Sequence, residues 1–274
     1  MLCAACGGIA SAAFAVVFLW VPESTSARLL SHFVSFATGA LLGAAFLALL
    51  PEAVALAGPA GAHDIGVALL AGLGIFFVIE KLVLWWHAHS HDEEHGSAAD
   101  PHGEHRHGGH AHSTEQREHA HGARDHASGV LVLVGDSIHN ALDGVLIAAA
   151  FLSSMSLGVV TTFAVAAHEI PHRVGDFAIL VHAGLSRQRA LLLNCATGVA
   201  SVVGALAAYY GLHRTQGLLP YALAVAAAGF LYIAVAGLIP GLHRRADPRT
   251  SAIQVLLIGA GVTVIAWAER LIHQ

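Results

Sequence analysis

The chain has 274 residues, of which 56% are hydrophobic and only 11% are charged, and its formal net charge is −5. Soluble domains carry roughly 25% charged residues, so this composition excludes an ordinary soluble protein and indicates an integral membrane protein. The apolar runs are long and unbroken, which favours spanning helices of about 20 residues over the alternating strands of a membrane β-barrel. The predicted fold is an all-α integral membrane protein.

Eight segments are long and apolar enough to span a bilayer, which predicts a bundle of eight transmembrane helices. They cover residues 3–21, 30–56, 65–87, 129–154, 157–184, 189–211, 217–239 and 251–271. Turn-forming residues such as Gly58-Pro59 separate them. Within the second span, Pro51 predicts a helix end or a kink. Cys6 follows two alanines, as at a lipoprotein cleavage site, but no basic segment precedes it, so we expect the first segment to stay a span.

A polar, histidine-rich stretch interrupts the apolar pattern between the third and fourth spans. Twelve of the 21 histidines fall between His87 and His126. The Gly, Ser, Ala and acidic content of this stretch predicts disorder, and its histidines are typical ligands of borderline divalent metal ions. We therefore divide the chain into helices 1–3 (residues 1–87), a disordered loop (88–127) and helices 4–8 (128–274).

The positions of the arginines predict the orientation. If the N-terminus is outside, nine arginines lie in inner loops and two, Arg214 and Arg270, lie on the outer side. This is a positive-inside bias. We predict a multi-pass protein of the cell membrane with both termini outside and the histidine-rich loop in the cytoplasm.

The fourth and fifth spans carry histidines and acids that hydrocarbon should exclude. In a helix, His139 and Asp143 lie one turn apart on one face, and His168, His172 and Asp176 form a second stripe at the same spacing. Buried ionisable groups are costly unless they pair with one another or bind something. One histidine alone would fit simple pairing. Three histidines and four carboxylates, which include Asp136 and Glu169, exceed what packing needs and predict a divalent-metal site.

A mixed shell of imidazole nitrogen and carboxylate oxygen suits zinc, and facing helices are a known way to build such a site in a bundle. It exchanges metal more readily than an all-thiolate shell, as transport requires. Gly144 and Gly175 are expected to let the helices approach closely. In the sixth span, Asn194 is expected to form a hydrogen bond between helices, with a contribution to the metal path as the alternative.

These motifs resemble those of the ZIP zinc/iron permeases. His139-Asn140-Ala-Leu-Asp143-Gly144 is similar to the family's fourth-helix signature, and His168-Glu169-Ile-Pro-His172 is similar to the fifth-helix signature of its histidine-rich subfamily. The resemblance implies two neighbouring metal centres, one from His139, Asp143 and His172 and one from Asn140, Glu169 and His172, with His168 close by. It also implies metal movement towards the cytoplasm by an elevator-like motion of one helix bundle against another.

Two departures from the family pattern matter. The subfamily usually has glutamate at the position of Arg173, and an arginine stays protonated. We expect Arg173 to pair with Glu169 or Asp176, which leaves one strong site at His139, Asp143 and His172 and weakens or removes the second. The second span also has alanines where related chains often carry an aspartate and a histidine.

Two other hypotheses compete with a metal importer. The run from His168 to His172 fits the H-E-x-x-H pattern of zinc proteases, although Pro171 disfavours their regular helix. A cation-diffusion exporter can also carry a histidine-rich loop, but usually has six spans. We predict a transporter and not an enzyme. Zinc is the expected cargo, with iron, manganese and cadmium as alternatives. The expected partners are divalent ions and the lipid bilayer, with a homodimer left open and no nucleic acid.

Overall fold

In a computed structural model of the chain, the described backbone comprises residues 23–92, 113–243 and 247–272. All regular structure in these ranges is helical, with no strand, as predicted. The elements are α1 (Glu23–Gly43), a π-helical segment (Ala44–Leu49), α2 (Leu50–Asp92), α3 (Ser113–Ser153), α4 (Met155–His182), α5 (Arg187–Arg214), a 3-10 turn (Gln216–Leu218), α6 (Leu219–Tyr232), a second π-helical segment (Ile233–Leu238), α7 (Ile239–His243) and α8 (Pro248–Ile272).

The predicted break between the second and third spans lies inside α2. Gly58 has φ 71° and ψ 176°, a conformation that glycine adopts readily and other residues avoid. It divides the helix into two arms, and Pro59 follows as the first residue of the second arm. The two arms correspond to the spans predicted at 30–56 and 65–87.

Each π-helical segment ends two residues before a proline, Pro51 in one case and Pro240 in the other. Proline lacks the backbone N–H, and its ring clashes with the carbonyl one turn earlier, so the helix must widen there. The prediction at Pro51 was therefore right about a distortion and wrong about an end, because the helix continues through it. The two widened helices pack against each other.

Three helix pairs dominate the packing: α3 with α5, α2 with α6, and α1 with α8. The closest approach involves Gly144 of α3 and Gly204 of α5. A methyl group at Gly144 would lie 1.9 Å from the Ser201 carbonyl oxygen, and one at Gly204 would lie 2.0 Å from that of Ala141. The expectation of close approach is thus confirmed for Gly144. It is wrong for Gly175, around which nothing lies within 4 Å of the added carbon.

Four of the described helical stretches are long and apolar enough to cross a membrane: Arg28–Leu82, Arg187–Arg214, Gln216–His243 and Pro248–Leu271. The first contains the Gly58 kink. Helices α3 and α4 are long enough but are not among the four, because the histidines and acids of the predicted metal site lower their hydropathy. The eight-helix count stays a prediction, since the first predicted span, 3–21, lies outside the described residues.

The predicted boundaries around the histidine-rich loop differ from those of the structure. Helix α2 runs to Asp92 and α3 begins at Ser113, so residues 88–92 and 113–127 are helical where we predicted disorder. The apolar pattern that we used to place the fourth span begins only near residue 129, so it could not reveal the polar first turns of α3. Residues 93–112, with most of the histidines, lie outside the described residues.

Candidate metal centre

A short connection brings the two ligand-bearing helices together. Helix α3 ends at Ser153 and α4 begins at Met155. The hydroxyl of Ser154 accepts a hydrogen bond from the Leu157 N–H at 3.1 Å and caps the first turn of α4. Because one residue joins them, α3 and α4 form a hairpin, and the polar stripes of the two helices face each other.

Four side chains of this hairpin form a compact group, which we call the inner cluster: His139, Asp143, His168 and Glu169. Their candidate ligand atoms all lie within 4.8 Å of one another. The Nε2 atoms of His139 and His168 are 3.2 Å apart. The Asp143 carboxylate lies 3.4 Å from His168 Nε2 and 3.6 Å from His139 Nε2. Only His139 is partly open to solvent, with 22% of its side chain exposed.

Two carboxylate oxygens of the inner cluster are buried without a hydrogen-bond partner, Asp143 Oδ2 and Glu169 Oε1. Among the described side chains, only one other atom, the Thr161 hydroxyl oxygen, shares this property. Burying a carboxylate oxygen without a hydrogen bond is unfavourable. A cation held between these oxygens and the neighbouring imidazoles would remove that penalty, so the residues present fit a divalent metal ion.

Beside the inner cluster, Arg173 is completely buried, and each of its three guanidinium nitrogens donates a hydrogen bond. Its Nε donates to Glu169 Oε2 at 2.7 Å, and one terminal nitrogen donates to Asn140 Oδ1 at 2.7 Å. The other terminal nitrogen donates to the Asn194 backbone and side-chain oxygens and to the Thr197 hydroxyl. The guanidinium therefore holds one oxygen from each of two residues that the family resemblance assigns to the second metal.

The remaining polar residues form a second group, the outer cluster: Asp136, His172 and Asp176. His172 Nδ1 lies 2.8 Å from Asp176 Oδ2 and 3.6 Å from Asp136 Oδ1. Both carboxylates are largely buried, whereas 43% of the His172 side chain is exposed. Two partners were predicted for Arg173, Glu169 or Asp176. Arg173 pairs with Glu169, whereas Asp176 contacts His172.

The structure brings all ten predicted site residues into one region but groups them differently. His168, expected only to be close by, lies in the inner cluster, and His172, expected in both centres, lies in the outer one. The ring of His172 stacks on that of His139, with centroids 5.1 Å apart. The Asn140 oxygen, expected to bind a metal, accepts a hydrogen bond from Arg173, and its nitrogen donates to Asp136.

Sequence reasoning missed Thr197 and did not foresee what Asn194 does. Asn194 accepts from Arg173 and donates to the Arg173 backbone oxygen at 2.9 Å, so it does link two helices, as expected. Thr197 lies one turn further along the same face of α5 and completes the shell of the guanidinium. The available signal was Arg173 itself, since a buried guanidinium needs several acceptors and a neighbouring helix must supply them.

A helical membrane bundle that buries imidazoles beside carboxylates is the arrangement expected of a divalent-metal carrier. Comparison with known proteins agrees. The family model described as ZIP zinc transporter matches residues 1–268, and the chain belongs to this family. The prediction of a transporter and not an enzyme is thereby confirmed, and the protease and cation-diffusion hypotheses are set aside.

Several zinc transporters resemble the chain along most of its length. Zinc transporter ZIP13 of Homo sapiens is 36% identical over 264 residues, which cover 86% of this chain and 70% of the relative. That of Pongo abelii is 34% identical over 251 residues, or 86% of this chain and 66% of the relative. Zinc transporter SLC39A7 of Rattus norvegicus is 33% identical over 329 residues, which cover 96% and 70%. The matches thus span 66% to 70% of the length of these relatives.

Proposed function

We propose that this protein carries zinc across the cell membrane towards the cytoplasm and that the inner cluster is its principal transport site. The observation that carries the proposal is that Asp143 Oδ2 and Glu169 Oε1 are buried next to the imidazoles without a hydrogen-bond partner. Two imidazoles next to two carboxylates match the ligand preferences of zinc. Iron, manganese and cadmium are the alternative cargoes, because nitrogen and oxygen donors also suit them.

A second metal at the position implied by the family is excluded in this proposal by Arg173. The guanidinium is permanently charged and uses both Asn140 Oδ1 and Glu169 Oε2. A dication at the same oxygens would have to displace these hydrogen bonds and would be repelled by the remaining positive charge. The tight site therefore binds one metal ion, and the guanidinium of Arg173 occupies the position of the second metal ion.

We further propose that transport is of the elevator type, with α3, α4 and α5 as the moving body. Helices α3 and α5 are locked by the contact at Gly144 and Gly204, so they must move together. On the other side, α1 and α8 are locked in the same way, since a methyl group at Gly39 would lie 2.0 Å from the Ile258 carbonyl oxygen. Between the two bodies α4 faces α1 through the edge-to-face rings of Phe36 and Phe163, a contact that can slide without breaking hydrogen bonds.

The proposed orientation has both termini outside and the end of α3 that begins at Ser113 on the cytoplasmic side. The nine-to-two arginine bias supports it. In that orientation the outer cluster is nearer the cytoplasm than the inner cluster, on the side where the sequence places the histidine-rich loop. The eight-helix bundle that we propose consists of the first predicted span, the two helices of the ligand hairpin and the five other predicted spans.

Zinc uptake into proteoliposomes tests the function. We expect uptake to fall to background in His139→Ala and Asp143→Ala, because each removes a ligand from the inner cluster. His182→Ala is the matched control: it removes an exposed histidine of α4 whose ring nitrogen forms a hydrogen bond with the Ala178 carbonyl oxygen. Full uptake by His139→Ala and Asp143→Ala would overturn the proposal.

A further inference from the structure

The outer cluster has the composition of a metal site of its own. It lies one helical turn from the inner cluster on both helices, since Asp136 precedes His139 on α3 and His172 follows His168 on α4. One imidazole and two carboxylates converge there, with Nδ1 of His172 2.8 Å and 3.6 Å from the two acids. These are the donor types that zinc accepts in sites that keep an open position.

The charges of the region also leave the outer cluster negative when the inner cluster holds one dication. Four carboxylates, those of Asp136, Asp143, Glu169 and Asp176, are buried on the hairpin, and Arg173 is the single permanent cation among them. A dication in the inner cluster offsets two of the remaining negative charges. One negative charge is then left, and the carboxylates not touched by Arg173 or by the inner cluster are Asp136 and Asp176.

The hydrogen bonds of Arg173 explain why a second metal site would lie at the outer cluster. By accepting from the guanidinium, Asn140 is turned so that its Nδ2 donates to Asp136 Oδ1 at 2.9 Å. This hydrogen bond orients the Asp136 carboxylate and leaves its other oxygen free of that contact. Asn140, which in the family would bind a metal through its oxygen, thus orients the Asp136 carboxylate through a hydrogen bond. Groups outside the ligand shell commonly orient metal ligands in this way.

We propose that Asp136, His172 and Asp176 form a second divalent-cation site, displaced by one helical turn from the inner cluster and open to water. The proposal rests on the proposed function, because it assigns this site as the station from which zinc leaves or reaches the inner cluster. The 43% exposure of His172 gives solvent access, and its ring, stacked on His139, lies between the two clusters. Two dications so close repel each other, so occupation of one site speeds release from the other, as in multi-ion conduction.

Zinc titration of the purified protein tests the assignment. The number of zinc ions bound by each variant is subtracted from the number bound by the wild type, so that zinc bound by other histidines cancels. We expect Asp136→Asn and Asp176→Asn each to bind one zinc ion fewer than the wild type while keeping the inner-cluster zinc. Asp143→Asn should lose the inner zinc instead and keep the outer one. Asp64→Asn, which neutralises an exposed acid of α2, is the matched control and should bind as the wild type does. Unchanged zinc binding in both outer-cluster variants would overturn the proposal.

Anomalous diffraction from zinc-soaked crystals of the wild type gives a readout that does not depend on how a variant folds. The expected result is two peaks, one among His139, Asp143 and His168 and one among the outer-cluster residues. A single inner peak overturns the second site and leaves the proposed function standing. No peak at either cluster contradicts both.

Discussion

The guanidinium of Arg173 donates a hydrogen bond to Oδ1 of Asn140 at a distance of 2.7 Å. This contact joins α4 to α3 and places a positive charge on the oxygen that the family motif would offer to a metal. The same guanidinium holds Glu169 Oε2, also at 2.7 Å. A fixed positive charge therefore stands where a second ion would otherwise be bound, and the consequences can be measured.

Arg173→Glu should restore the family's second centre. The new carboxylate would join Asn140, Glu169 and His172, so we expect the purified variant to bind one zinc ion more than the wild type. Without zinc, its carboxylate repels Glu169 and the melting temperature should fall. Zinc at about 100 times its Kd should restore roughly 2.7 kcal/mol through binding linkage.

Arg173→Gln separates the loss of the cation from the gain of a ligand. It leaves Glu169 buried without its charged partner, and breaking a buried pair in this way costs about 3–5 kcal/mol. We expect a lower melting temperature and no additional zinc. Equal zinc binding by Arg173→Glu and Arg173→Gln would contradict the view that the guanidinium replaces a metal.

Asn140→Ala should leave the number of bound zinc ions unchanged. Its oxygen is engaged by Arg173 and its nitrogen by Asp136, so the side chain supports two neighbours and coordinates nothing. The expected effect is a loss of stability of about 1–3 kcal/mol, because a buried donor loses its acceptor. Zinc titration and thermal unfolding measure the two quantities, and a clear loss of stoichiometry would instead show a metal at Asn140.

The stripes of histidines and acids on two neighbouring spans could be predicted from the sequence, because helical spacing places them on one face of each helix. Their presence in apolar segments indicated a function, because buried ionisable groups are costly. The sequence could not predict which helix supplies the acceptors for Arg173, because the contact with Asn194 depends on how closely α5 approaches the hairpin. That approach is set by Gly144 and Gly204, two glycines that look like any others in an apolar run. The division into inner and outer clusters likewise follows from the direction of the His172 ring, which spacing alone does not determine.

His168→Ala and His172→Ala distinguish the grouping implied by the family from the grouping seen in the structure. His168 lies 3.4 Å from the Asp143 carboxylate, whereas His172 contacts Asp136 and Asp176. We expect His168→Ala to weaken the tightest zinc site and His172→Ala to weaken mainly the second, looser one. Competition between the protein and a chelator of known affinity measures the tight site in each variant. A greater loss of tight binding in His172→Ala would favour the centre of His139, Asp143 and His172.

The close contact between α3 and α5 at Gly144 predicts the effect of a substitution on stability, and Gly175 on the same hairpin provides the control. Gly144→Ala would place a methyl group 1.9 Å from the Ser201 carbonyl oxygen, so the two helices must separate. Overpacking of this kind costs about 1–3 kcal/mol and should lower the melting temperature. Gly175→Ala adds the same group to α4 where nothing lies within 4 Å, and alanine favours helix over glycine by up to about 1 kcal/mol. We expect Gly175→Ala to be neutral or stabilising, and similar losses in both variants would mean that the packing of α5 against α3 does not hold the hairpin in place.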